Sequence, residues 1–173
     1  MGEEGDAMRI YDGSPRQDWE EVLRSIGAHA DRQQLKELLF VELEPGFILQ
    51  GLAQATAGRS DEGFGHLVKK TFEIDEDQAA KLMDDATEMR GTATGGEPHL
   101  EIANYYQHAL RVIGKWIDSQ KARDVFFFEQ EGSFVVRILA TSSSGSVAHQ
   151  LSEFTRDEIV AMIEAAPQAR DHA

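Results

Sequence analysis

The residues best suited to chemistry in this chain are its histidines, its crowded carboxylates and one serine-rich segment. Six histidines occur, at His29, His66, His99, His108, His149 and His172. None forms a His-x-His or His-Glu-x-x-His pair, the spacings that bring two imidazoles onto one metal. The chain has no cysteine, which excludes disulfides, thiolate nucleophiles and sulfur-ligated metals. Asp75, Glu76 and Asp77, with Asp84, Asp85 and Glu88, crowd one region but lack the glycine and ligand spacing of a calcium loop. The first three suit the positive end of a helix dipole instead. Ser142-Ser143-Ser144-Gly145 has the composition of an anion-cradling loop. It lacks the Gly-Lys-Ser/Thr ending and precedes a strand, so it reads as a hairpin loop. Neither a Gly-x-Ser-x-Gly elbow nor a dinucleotide fingerprint occurs. These observations favour a protein that is not an enzyme and that holds no cofactor and no metal. The alternative is an enzyme or small-ligand-binding protein, its site lying between two halves of the chain and drawing on His66, His149 and Arg137.

A different pattern suggests a surface for another protein. Tyr105, Val112 and Trp116 stand at i, i+7 and i+11, on one stripe of a predicted helix. The stripe is extra to an inner face built from Tyr106, Ala109, Leu110, Ile113 and Ile117. A second apolar stripe has to be buried somewhere. It is expected to be a dimer or partner interface anchored by Tyr105 and Trp116, or else to be covered by the N-terminal tail or the linker.

The elements that position these residues follow a repeat. Leu23, Arg24, Ile26 and Gly27 return 87 positions later as Leu110, Arg111, Ile113 and Gly114. Asp31 returns as Asp118, Gln33 as Gln120, Glu42 as Glu129, and Phe47, Leu52 and Ala53 as Phe134, Leu139 and Ala140. One shared offset over some thirty residues implies two copies of one supersecondary unit. Each copy reads as helix, three-stranded meander, helix. In the first, Trp19, Val22, Leu23, Ile26 and Ala30 share one face of a helix expected from about Arg16 to Gln33. Strands are expected at Leu38–Val41, Phe47–Ala53 and His66–Phe72, with a turn at Pro45-Gly46. Asp75 and Gln78 then match a capping box at the start of a second helix. In the second copy a helix is expected from about Leu100 to Gln120. Strands follow at Val125–Phe128, Phe134–Ala140 and Val147–Glu153, with a turn at Gly132-Ser133. Thr155 and Glu158 repeat the capping box. The expected organisation is a tail (1–14), a first αβββα repeat (15–90), a Gly- and Pro-containing linker (91–98) and a second repeat (99–173).

The first strand of each copy is apolar on both faces, unlike a meander's exposed edge. The fold class expected is therefore α+β, with the two first strands paired in one fused six-stranded antiparallel sheet. The strand order would be third, second, first, first, second, third.

Composition narrows the partners. Thirty-one acidic against seventeen basic side chains give a charge of −14. Such a surface repels phosphate backbones and anionic membranes, so neither nucleic acid nor a membrane is expected as a partner. The first copy is the more acidic half and could attract a basic partner. The acidic, polar N-terminus does not read as a signal peptide, and no apolar run spans a bilayer; a cytoplasmic location is expected. The element order is similar to that of double-stranded-RNA-binding domains, but Asp75-Glu76-Asp77-Gln78 and Thr155-Arg156-Asp157-Glu158 stand where that family has lysines. Small acidic α+β proteins of this size also resemble secretion-type chaperones, which hold an extended partner. The function expected is a non-catalytic protein-interaction module, chaperone-like or scaffold, with a protein partner or a homodimer.

Overall fold

The computed structural model describes residues 18–43, 46–54, 67–92 and 104–165. The expected tail, the helix starts at Arg16 and Leu100, and His66 lie outside these. The first half supplies helix α1 (Trp19–Arg32), strands β1 (Lys36–Leu43), β2 (Gly46–Gln54) and β3 (Leu67–Ile74), and helix α2 (Glu76–Thr92). The second supplies α3 (Tyr105–Ser119), β4 (Ala122–Gln130), β5 (Ser133–Thr141), β6 (Val147–Phe154) and α4 (Arg156–Ala165). Together they form an α+β fold with one six-stranded antiparallel sheet, in the order β3-β2-β1-β4-β5-β6. The two first strands meet at its centre, where Leu39, Phe40 and Val41 pair with Phe128, Phe127 and Phe126. Gly91 and Thr92, expected in the linker, instead close α2.

Alternation along the strands decides which side chains enter the core. Leu38, Phe40, Phe47 and Leu49 point to the helices, as do Val125, Phe127, Phe134, Val136 and Ile138, and all are buried. Trp19 of α1 sits edge-on to Phe40 and Phe47, at 6.2 and 5.9 Å between centroids. Phe40 stacks on Phe127 across the central pair at 5.0 Å. The helices form one layer in the order α2-α1-α3-α4. Both capping boxes are present: Gln78 N donates to Asp75 Oδ1 (2.8 Å), and Glu158 N to Thr155 Oγ1 (3.2 Å). The return bonds run from Asp75 N to Gln78 Oε1 and from Thr155 N to Glu158 Oε1.

The polar residues found twice in the sequence hold the halves together. Neither Asp18 nor Asn104 caps its own helix through its side chain. Asp118, at the end of α3, accepts the amides of Trp19 and Glu20 at the start of α1 (2.9 and 3.1 Å). Asp31, at the end of α1, accepts those of Tyr106 and Gln107 at the start of α3 (3.0 and 2.9 Å). Each helix is thus capped by the other. This antiparallel crossing requires glycine: a Cβ on Gly27 would lie 2.2 Å from the Tyr106 carbonyl oxygen, and one on Gly114 would lie 2.3 Å from that of Trp19.

The same reciprocity governs the central strands. Ladder pairing slips against β2 between Lys36 and Leu39, and against β5 between Arg123 and Phe126. Glu37 and Asp124 take positive φ there, 56° and 58°. At these bulges a carboxylate replaces a backbone acceptor. Glu129 Oε1 accepts Leu38 N, and Glu42 Oε1 accepts Val125 N, each at 3.1 Å. The β4–β5 turn is Glu131-Gly132, one place before the expected Gly132-Ser133. Both residues have positive φ, 52° and 87°, as the tight turn matching strand twist demands.

Candidate functional site

With every described helix on one side, the other face of the sheet is set by the remaining strand positions. Register places Ile48, Val41, Phe126 and Arg137 side by side on β2, β1, β4 and β5. The adjacent row is Gln50, Leu39, Phe128 and Val135. Leu43, Leu52 and Leu139 lie on the same face. These apolar side chains are partly exposed rather than enclosed. Phe126 and Phe128 lean together at 6.0 Å, and the Arg137 guanidinium lies 5.2 Å over the Phe126 ring. Leu67 is 48 % exposed, Val147 43 % and Leu151 70 %. All three, the exposed large hydrophobics among the described residues, fall on this face of the two edge strands. A contiguous apolar face of this breadth makes the open side of the sheet the candidate binding surface.

The charges on this face differ from those of the chain as a whole. Lys36, Lys69, Arg123 and Arg137 occupy its register positions, against Glu73 and Glu153. Glu37 and Asp124 stand at the bulges beside it. Four cations therefore meet four carboxylates, in a chain of net charge −14. The acidic excess lies elsewhere.

The expected aromatic stripe lies within the fold. Tyr105 is 7 % exposed and Val112 3 %. The Arg156 guanidinium of α4 sits 4.4 Å over the Tyr105 ring, and Phe154 at the end of β6 meets half-buried Trp116 edge-on at 5.1 Å. Tyr105 and Trp116 are thus packed against the β6–α4 junction of their own half; the tail and most of the linker lie outside the described residues. That enclosure moves the candidate surface from the helices to the sheet.

Of the alternative ligand residues, Arg137 and His149 come together on the open face. Arg137 pairs with Leu151 and Leu139 with His149, so the two are diagonal neighbours on β5 and β6. Arg137 Nε is buried with no hydrogen-bond partner. His66 is outside the described residues. The other described histidines are far from this pair in the fold: His29 stands edge-on to Phe72 on the helix side (4.6 Å), and His108 is buried in α3. No three of His, Cys, Asp and Glu converge on a metal-sized site among the described residues. The serine loop closes on itself, with Ser142 Oγ accepting the amides of Ser144 and Ser146 (3.3 and 3.2 Å). Those amides are then already engaged and do not cradle an anion.

A polar cluster also lies between α1 and α3. Arg24, fully buried, donates through Nη2 to both Glu21 oxygens (2.8 and 2.9 Å), and Arg111 Nη1 donates to Glu20 across the helix pair (3.2 Å). Neither ring nitrogen of His108 has a hydrogen-bond partner. Burial, with Arg111 and Arg24 nearby, pushes its pKa down to about 4. The first pair lies within α1 and the second joins α1 to α3, both in the helix layer rather than on the open sheet face.

Comparison with protein-family models, with curated proteins and with solved structures finds no match. No described helix is long and apolar enough to cross a membrane.

Proposed function

We propose that this protein is a non-catalytic protein-interaction module, chaperone-like or scaffold, that works through the open face of its sheet. The observation carrying this reading is the apolar row Ile48, Val41, Phe126 with its neighbours Leu39, Phe128 and Val135, on strands whose opposite faces already fill the core. Side chains of this kind on the solvent side cost solubility and are retained where something covers them. The acidic balance makes nucleic acid an unfavourable partner, and the reading carries a cytoplasmic location on composition alone. The test is affinity capture from the native host with wild type and Phe126→Glu. A partner held by wild type and lost by the variant supports the reading. Recovery that ignores the substitution, together with no self-association, overturns it.

A second reading rests on Arg137. Its buried, unpartnered Nε beside His149 suits a small carboxylate-bearing ligand. Calorimetric titration of wild type and Arg137→Gln with small carboxylates tests it, and equal heats in both would remove it.

A further inference from the structure

We infer that the occupant of the open sheet face is a second copy of this chain, seated face to face. This inference rests on the interaction reading above and names the partner. Breadth is the first argument. Neighbouring strands lie about 4.8 Å apart and each residue advances about 3.3 Å. Six strands of eight or nine residues therefore present a face of roughly 25 by 27 Å, on the order of 700 Å². Stable interfaces take about 600–1,000 Å² from each partner, so the whole of this face would be used. A docked helix, about 10 Å across, would cover two strands. Yet partly exposed apolar side chains run from Leu52 on β2 to Leu139 on β5, and Leu67 and Leu151 extend them to both edges. Another sheet of the same width covers them together, as the layers of a β-sandwich do.

Charge is the second argument. Two copies that each carry −14 repel one another. The open face is where that repulsion is locally absent, because Lys36, Lys69, Arg123 and Arg137 offset Glu73, Glu153, Glu37 and Asp124. A pairing through this face leaves the acidic excess pointing outward on both sides. A basic partner would gain little from a balanced face and would seek the acidic surface instead.

The test is sedimentation equilibrium of the full chain from about 1 to 100 µM, with Leu151→Lys and Phe126→Glu as variants. Wild type should run at twice the chain mass. Each variant should raise the dissociation constant at least tenfold while keeping the wild-type far-ultraviolet circular dichroism. Should Phe126→Glu fail to fold, Leu151→Lys decides, since its side chain is 70 % exposed and supports no core contact. A monomer at 100 µM overturns the inference, and so does a dimer indifferent to the folded variants. Titration with an environment-sensitive apolar dye separates the two levels. A monomer that binds dye, and loses it with Leu151→Lys, leaves the interaction reading standing with a foreign partner. A monomer that binds none removes both.

Discussion

His108 and Asp31 titrate in opposite senses over the same pH range. The folded protein holds His108 at about 4, against 6.5 for a free imidazole. The unfolded chain therefore takes up the proton first, and this group's contribution is complete above pH 6.5 and lost as pH falls toward 4. Burial raises Asp31 from 3.8 to about 6, against the pull of two amide hydrogen bonds and Arg32. Its folded form takes the proton first, so acidification from 6 toward 4 favours folding. In wild type the two effects oppose each other. His108→Leu should leave the Asp31 slope exposed, so that the variant gains on wild type as pH falls from 6.5 to 4. Urea unfolding at half-unit pH steps measures this, and parallel curves for the two proteins would refute it. The reciprocal caps make a separate prediction at this scale. Asp31→Ala and Asp118→Ala should each cost about 1 kcal/mol near pH 7, although each aspartate lies at the far end of the helix that carries it. Both aspartates are visible in the sequence as a repeated pair. Their role is not, because the bonds join residues 75 to 99 positions apart and no local rule points that far.

Among the elements, the α1–α3 pair is the tightest contact. An exposed helical glycine replaced by alanine gains about 1 kcal/mol from helix propensity. At Gly114 the new methyl would meet backbone, the Trp19 carbonyl oxygen at 2.3 Å, and the helices would have to separate. Overpacking of that kind costs about 1–3 kcal/mol or more, so Gly114→Ala should be destabilising by about 2 kcal/mol, as should Gly27→Ala. Chemical denaturation decides the sign; a stabilised variant would mean the crossing is looser than described. Much at this scale was legible in advance. Helical spacing located α1 and α3, Asp75/Gln78 and Thr155/Glu158 located the starts of α2 and α4, and strands apolar on both faces placed β1 and β4 centrally. The bulges are not legible, because Glu37 and Asp124 are ordinary polar residues, and the carboxylates of Glu129 and Glu42 that take the next amides at each bulge come from the facing strand.

At the scale of the molecule, the same two-faced apolarity had a second meaning that sequence reading missed. Such apolarity marks an inner strand, and β1 and β4 are inner strands. Yet the helices make a single layer, so it also leaves Leu39, Val41, Phe126 and Phe128 on the open side. Tyr105 and Trp116 show the converse: Arg156 and Phe154, which pack against them, come about fifty and forty residues later, and nothing local announces them. Shared capping and a shared sheet also predict one unfolding event. The chain has two tryptophans, Trp19 in one half and Trp116 in the other. Trp19→Phe and Trp116→Phe each leave one half's reporter, and within each variant the fluorescence midpoint should coincide with that of circular dichroism. Separated midpoints would show the halves melting apart.

The crossed aspartates bear on how this polypeptide leaves the ribosome. When residues 18–92 have emerged, the amides of Trp19 and Glu20 still await a carboxylate at position 118, and β1 still lacks its neighbour on one side. The growing chain therefore holds an unfinished helix and an uncovered strand until the rest is synthesised. A nascent product stalled near the glycine-rich joint would be a sticky fragment rather than a small stable protein.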